Sequence, residues 1–396
     1  MTLARYHACW FRRAIALATW LAVSSTPALL IAACAASEAT DAPEEKPGVV
    51  IPSNDAGVEA SLDAHAEADV PAPCAAGGLC PTPTPLEMPR SIVAIRGRAK
   101  NDVWASGVGG LLMHWDGQQW ADVHSGMDTS ISTLFLTADE TWGLSGQTVM
   151  RRSLAPTSVR TAVAAYSIPG PSFTPDGRIL ADLAVLPNGE IYLSPLPNWR
   201  GSAFTTGRSP LAKFDFDTGT LTYLPVPIHP LTKKPQATSN RASFLVPEKA
   251  LWLVGDRGSV TRYPVSSIGD GDGGTPSVGQ GVVVPLALQA DLLAAWGHDE
   301  HLWAAGTNGT LVHFDGTEWN TAHTGTTAVL RAIFGIAPND IWAVGDRGTV
   351  LHFDGNAWSR VAVGTYDGNL SAVWGSAPDD VWIGGEAVMF HWGPRP

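Results

Sequence analysis

Four cysteines in 396 residues are too few for a disulfide-knit scaffold. No Cys/His spacing matches a zinc site, so no metal is expected. Charged residues make up only 16% of the chain, and 25 Lys and Arg face 37 Asp and Glu. That balance leaves no basic face for nucleic acid, and a nucleic-acid partner is excluded. Only one long apolar run is present, from Ala14 to Ala33. There is no nucleophile elbow and no phosphate-binding glycine loop, and nothing calls for a cofactor or names a catalytic residue. Paired carboxylates can converge in space without a linear motif, so these absences leave hydrolase chemistry open.

What is abundant points to many short strands. Gly (41) and Pro (30) suit tight turns, and a 45% hydrophobic share suffices for a large core. Sixteen tryptophans are unusual, and fourteen of them lie beyond residue 90.

The N-terminal stretch reads as an export signal over residues 1–33. Arg5, Arg12 and Arg13 form a basic start, the apolar run follows, and Ile31-Ala32-Ala33-Cys34 closes it. An ordinary cleaved signal and an uncleaved membrane anchor compete with a lipidated cysteine. Pro27 and Ser24-Ser25-Thr26 interrupt the apolar stretch and weaken the anchor reading. The small residues leading into Cys34 resemble the lipobox of bacterial lipoproteins. That resemblance implies lipidation at Cys34 and, with Ala35 next, outer-membrane sorting.

Residues 34–84 read as a flexible tether. Between residues 35 and 89 stand ten acidic side chains and one lysine. Such a segment buries too little surface to offset its ordering entropy. Cys74 and Cys80, in Cys-Ala-Ala-Gly-Gly-Leu-Cys, are expected to form a small disulfide loop in an oxidising compartment. Cys9 falls inside the signal.

The remaining segment, 85–396, repeats. Aligning its central aromatics gives Trp104, Trp142, Tyr192, Trp252, Trp303, Trp342 and Trp382, spaced by 38, 50, 60, 51, 39 and 40 residues. Each unit holds four short apolar runs; in the sixth these are Arg331–Gly335, Ile341–Val344, Thr349–Phe353 and Ala357–Val363. Such runs, rich in Val, Ile, Phe and Trp and bounded by Gly, Asp, Asn and Pro, are strands joined by hairpins. Stacking four-stranded sheets radially buries both of their faces. The expected fold is therefore all-β: a seven-bladed β-propeller of four-stranded antiparallel blades, preceded by a signal sequence and a disordered linker. The last unit ends at Trp392 without a fourth strand, and residues 85–90 are predicted to supply it.

The Asp-Val-Trp-Ala-Val-Gly style of repeat with Phe-Asp-Gly-x-x-Trp resembles secreted bacterial propellers with BNR or Asp-box-like repeats. The Asp-Gly-x-x-Trp part stands at Asp116, Asp315 and Asp354. Sialidases also carry Asp-boxes, but Phe or Trp directly precedes the Asp here, so the resemblance implies no enzyme family.

Repeated polar residues read as scaffold. His114, His313, His352 and His391 share one slot with Arg151, Lys213 and Arg262, and Asp102, Asp340 and Asp380 precede the central Trp by two. Spread around a ring, they cannot converge on one ion, and the acids are expected to satisfy turn backbone. Gly269–Gly274 lacks the ligands of a calcium loop and reads as a mobile hairpin loop.

Function is expected where the repeat breaks: Pro195–Pro210, Pro225–Arg241 and Val265–Gly281. The first two are expected on one face and the third on the other. Trp199, Arg200, Arg208, Lys233, Lys234 and Arg241 form the candidate patch, suited to an anionic glycan or a carboxylate-rich protein surface. The expected function is a non-catalytic, monomeric cell-envelope lipoprotein that binds or scaffolds. A propeller glycan hydrolase or lyase is the alternative, and it requires unrepeated carboxylates near the axis.

Overall fold

The computed structural model describes residues 78–85, 90–153, 163–167, 180–195, 210–236, 238–268 and 275–394. They form seven antiparallel sheets, six of four strands and one carrying an additional short strand. The inner strands are Ile92–Ala99, Ile131–Leu136, Leu180–Val185, Ala242–Val246, Leu292–His298, Leu330–Ala337 and Leu370–Ala377. Each contacts the next, and the seventh contacts the first, so the sheets close into a propeller.

The repeat builds each blade in the same way. The central aromatics lie on the second strands and are all buried. Their neighbours alternate in direction along the strand, so the apolar runs pack both sheet faces against adjacent blades. Trp296 of blade 5 and Trp374 of blade 7 lie over Gly335 of blade 6 and Gly97 of blade 1, where an added Cβ would fall 2.5 and 2.4 Å from the indole. A glycine also ends four of the second strands (Gly107, Gly306, Gly345 and Gly385) and Gly255 directly follows a fifth. There the preceding blade connection passes so close that a Cβ would lie 1.9–2.2 Å from a backbone carbonyl oxygen. Phe-Asp-Gly-x-x-Trp is the turn between the third and fourth strands. Asp116 accepts the N–H groups of Gln118 and Gln119, Asp315 those of Thr317 and Glu318, and Asp354 those of Asn356 and Ala357. Asp215 does the same with Asp217 and Thr218, a fourth such turn without its tryptophan.

The closing strand is present but is not the predicted one. Leu79–Pro81 pairs with Val388–Trp392, matching Leu79 to Trp392, Cys80 to His391 and Pro81 to Phe390. Geometry explains the shift. Ser91 already bridges Glu386, and Ile92 begins the inner strand of blade 1. The outer edge of blade 7 is three strand spacings away, roughly 14 Å. A closing strand over residues 85–90 would leave no chain to cross that gap; ending at Pro81 leaves nine residues. Proline is tolerated there because an edge strand needs no donor on its open side. The ring therefore begins at Leu79, ahead of the predicted boundary at residue 85. Cys80 is disulfide-bonded, while Cys74 and Cys34 lie outside the described residues.

Blade 4 departs from the repeat. Its third strand, Val260–Ile268, is long enough to pair twice: Val265 to Ile268 with Thr275–Val278, and Thr261 and Arg262 with Val282–Val283. The predicted insertion after Val265 is thus largely an extended hairpin ladder, with residues 269–274 outside the described residues.

Candidate functional site

The repeated slot before the central Trp is a side-chain latch, and not the turn-backbone acceptor expected of it. Asp102 Oδ1 accepts from Trp104 Nε1 at 2.8 Å and meets His114 Nε2 at 2.8 Å. Asp340 repeats both contacts with Trp342 (3.0 Å) and His352 (2.8 Å). Asp380 meets His391 at 2.8 Å, inside the sheet that the closing strand covers. Blade 3 substitutes Glu190, which accepts from Tyr192 Oη and from Lys213. The basic partner lies on the neighbouring strand, over the buried aromatic. Ring centroids are 4.2–4.4 Å apart for His114/Trp104, His313/Trp303, His352/Trp342 and His391/Trp382. Arg151 and Arg262 sit over Trp142 and Trp252 in cation–π contact. One position thus accepts His or Arg for the same packing reason, and Lys213 through its bond to Glu190. Burial opposes ionisation of Asp102 and Asp380, but hydrogen bonds from His114, Trp104 and Arg98, and from His391 and Ser376, outweigh it. Both carboxyls are held below the usual carboxylate range. Among the described residues no group of three or more His, Cys, Asp or Glu side chains is arranged to hold a metal ion.

With those residues committed to the scaffold, the unrepeated ones stand out at the start of the inner strands. In six blades the register skips one residue there: Val93, Ser132, Ala181, Leu293, Arg331 or Ser371. In blade 4 Arg241 takes the corresponding place, just before Ala242, and donates its N–H to Val254 O. Five of these seven side chains, Ser132, Ala181, Arg241, Leu293 and Arg331, line one cavity of about 590 Å³ together with Thr129 and Ser130. Residues from five blades can meet in this way only at the mouth of the central axis. Arg241 and Arg331 are the two cations in this ring of small, apolar and hydroxyl side chains. Each is oriented through Nε by an acid on the following hairpin, Asp256 or Asp346, and Asp291 stands 3.7 Å from Arg241 Nη2.

Nearby on its inner strand, Asp182 replaces residues that are small in other blades. Its carboxylate accepts from Thr133 Oγ1 at 2.7 Å, Leu183 N at 2.9 Å and Ser243 N at 2.8 Å, tying together blades 2, 3 and 4. Arg96 lies within its electrostatic reach, and burial pushes that guanidinium's pKa down while Asp182 pulls it up. An acid bonded at both oxygens to neighbouring blades is a staple, poorly placed to shuttle protons. Sequence reading missed Asp182 and Arg331; both are breaks in a column of equivalent residues, visible once the register is known.

The segment before Arg241 forms an arm. Ile228 bridges Pro235, His229 and Lys234 exchange a backbone bond, and Lys233 adopts a left-handed conformation (φ 56°) at the turn. Ile228 also bonds to Gly281 and Val283, which fastens the arm to the outer edge of blade 4. Its tip exposes Leu231, Lys233 and Lys234. A second cavity, about 740 Å³, runs from His229 and Gln236 past Ser239 to Asp256. Arg241, which lines the first cavity, is ion-paired with Asp256, which lines the second, so arm and axial mouth share one face. Lys233 and Lys234 stand at the outer end of that face and Arg241 at the inner end. Trp199, Arg200 and Arg208 lie outside the described residues.

No protein-family model and no curated protein matches the chain. Among solved structures, YCF48 bound to D1 peptide is similar at 15% identity and a TM-score of 0.55, covering 80% of this chain and 96% of that one. The WD40 domain of Pan2 from Neurospora crassa is similar at 10% identity and 0.53, covering 81% and 95%. The extracellular domain of the hybrid two component system BT4673 from B. thetaiotaomicron is similar at 12% identity and 0.54, covering 80% of this chain and 39% of that one. At these identities the likeness is one of fold, and the fold is the seven-bladed β-propeller.

Proposed function

We propose that the chain is an exported, lipid-anchored propeller of the cell envelope that binds a carboxylate-bearing protein segment across the face joining the axial mouth to the 228–235 arm, and performs no chemistry itself. The observation that carries this is the pair of unrepeated arginines, Arg241 and Arg331, held on opposite sides of Leu293 in the axial cavity. A guanidinium fixed through one edge keeps planar donors for a carboxylate, and Lys233 and Lys234 extend the positive surface outward. The repeated His, Asp and Trp are consumed by packing, and Asp182 by inter-blade bonds, which favours binding over hydrolysis. A solved propeller of this fold, YCF48, holds a peptide. Export and anchoring rest on the basic start, the apolar run and Ile31-Ala32-Ala33-Cys34.

The test is affinity capture of the mature protein's partner from an envelope extract, followed by binding of that partner to an Arg241→Gln, Arg331→Gln variant. Loss of two charge-assisted bonds should weaken binding by about tenfold or more while the ring melts as before. Unchanged affinity discards the mouth. Binding of anionic polysaccharide that vanishes in a Lys233→Ala, Lys234→Ala variant would replace the protein partner by a glycan. Metabolic labelling with palmitate should mark the wild type and not Cys34→Ala.

A further inference from the structure

Blade 5 breaks the latch in a way no other blade does. The acid two residues before the central Trp is replaced by His301, and His301 Nδ1 meets His313 Nε2 at 3.2 Å. A third imidazole joins them. His298 stacks on His301 with centroids 5.0 Å apart at 10°, His301 on His313 at 5.3 Å and 14°, and His313 on Trp303 at 4.3 Å and 14°. Four near-parallel rings thus run from the end of the inner strand across the second strand to the third.

A hydrogen bond between two imidazoles needs one N–H and one bare nitrogen. A second proton puts two donors face to face and two positive rings in a stack. Carboxylates lie at the margin but none lies between the rings: Asp299 is 3.6 Å from His298 Nδ1 and is itself well exposed, Glu300 is held bidentate by Arg262 of blade 4, and Asp315 is engaged by its own turn. Blades 1, 6 and 7 instead give their histidines an aspartate, for which a protonated imidazole is the better partner. We propose that the His298–His301–His313 stack is an acid-sensitive release in the ring: uptake of a second proton parts His301 from His313 and loosens blade 5.

Burial, then the neighbouring His301, push the His313 imidazole below its usual range; Asp315 pulls the other way and His298 adds to the depression. The unfolded chain therefore binds this proton more readily than the folded one. Stability from this group is complete above about pH 6.5, the ordinary imidazole value, and is lost as pH falls below it. His298 ends the inner strand whose start carries the cavity residue Leu293, so the stack lies at the other end of that strand from the axial mouth.

The experiment uses the full chain in two measurements. Imidazole Cε1–H titrations by NMR are assigned with His298→Gln, His301→Gln and His313→Gln. Melting temperatures at pH 7.5 and 5.5 are compared between wild type and His301→Asp, which restores the latch of the other blades. At least one stack imidazole should titrate below the exposed His323, and acid should lower the wild-type Tm by roughly 2–4 °C more than that of His301→Asp. Titration of all three with His323, or equal Tm losses, overturns the proposal. If His301→Asp does not fold, the wild-type titration decides.

Discussion

His391 Nε2 meets Asp380 Oδ1 at 2.8 Å with both side chains 2% exposed, whereas the same pair in blade 1, His114 and Asp102, keeps 30% and 26% exposure. One repeated contact therefore exists in two environments, and its worth should differ accordingly. Removing one partner of a buried pair strands the other, at a cost of about 3–5 kcal/mol, while a partly hydrated pair yields about 1 kcal/mol or less. Urea unfolding of Asp380→Ala against Asp102→Ala should show that gap. Equal losses would mean that the closing strand does not seal blade 7.

The same acids set the low-pH limit of the ring. Asp102 and Asp380 have carboxyls held below the unfolded range by their His and other donors, and turn N–H groups hold Asp315 down at about 2. The folded state binds these protons less readily than the unfolded chain. The contribution is present above about pH 4 and disappears as pH falls through the folded values. Tm should therefore drop steeply between about pH 4 and 2, and Asp380→Asn should flatten that slope. A wild-type Tm constant over this window would contradict the latch.

Gly345 should tolerate no side chain. Its Cβ would lie 2.0 Å from Val329 O, a backbone atom in the connection from blade 5. Gly345→Ala should cost about 1–3 kcal/mol or more by overpacking, read as a lower denaturation midpoint. Gly126 has open space but a left-handed backbone (φ 73°), so its replacement by Ala should cost about 1 kcal/mol.

Deleting residues 1–81 should destabilise the whole propeller and promote self-association. It removes Leu79 from the cluster around Trp392 and Phe390 and opens the edge of Val388–Trp392. Deleting residues 1–73, which keeps both Cys74 and Cys80, should lower the melting temperature far less. A melt that is the same for both truncations would show that Leu79–Pro81 does not close the ring.

The fold was legible because each blade repeats its chemistry. A Trp every 40 residues or so, flanked by hairpin turns, admits few architectures, and the strands fall where the apolar runs are. The closing strand was misplaced because its three residues, Leu-Cys-Pro, carry no strand signal of their own; only the width of a blade says how far from Ser91 it must lie. The latch was half legible. Recurrence identified Asp102, Asp340 and Asp380 as scaffold, but their partners are on an adjacent strand, and local sequence suggested backbone instead. Arg241 was found through local charge, whereas Arg331 was hidden by sitting within an otherwise regular blade. Their kinship depends on the one-residue register skip of the inner strands, which no spacing in the sequence reveals.

The closing strand has a mechanical meaning. Leu79–Pro81 is held to the ring by three residue pairs, Leu79–Trp392, Cys80–His391 and Pro81–Phe390. A force entering the chain at Leu79 is delivered first to those pairs, and ten residues separate Pro81 from Ile92. The strand by which the chain enters the ring is also the one that fastens it. Such a force would peel the outer edge of the seventh blade before it disturbed the axial mouth.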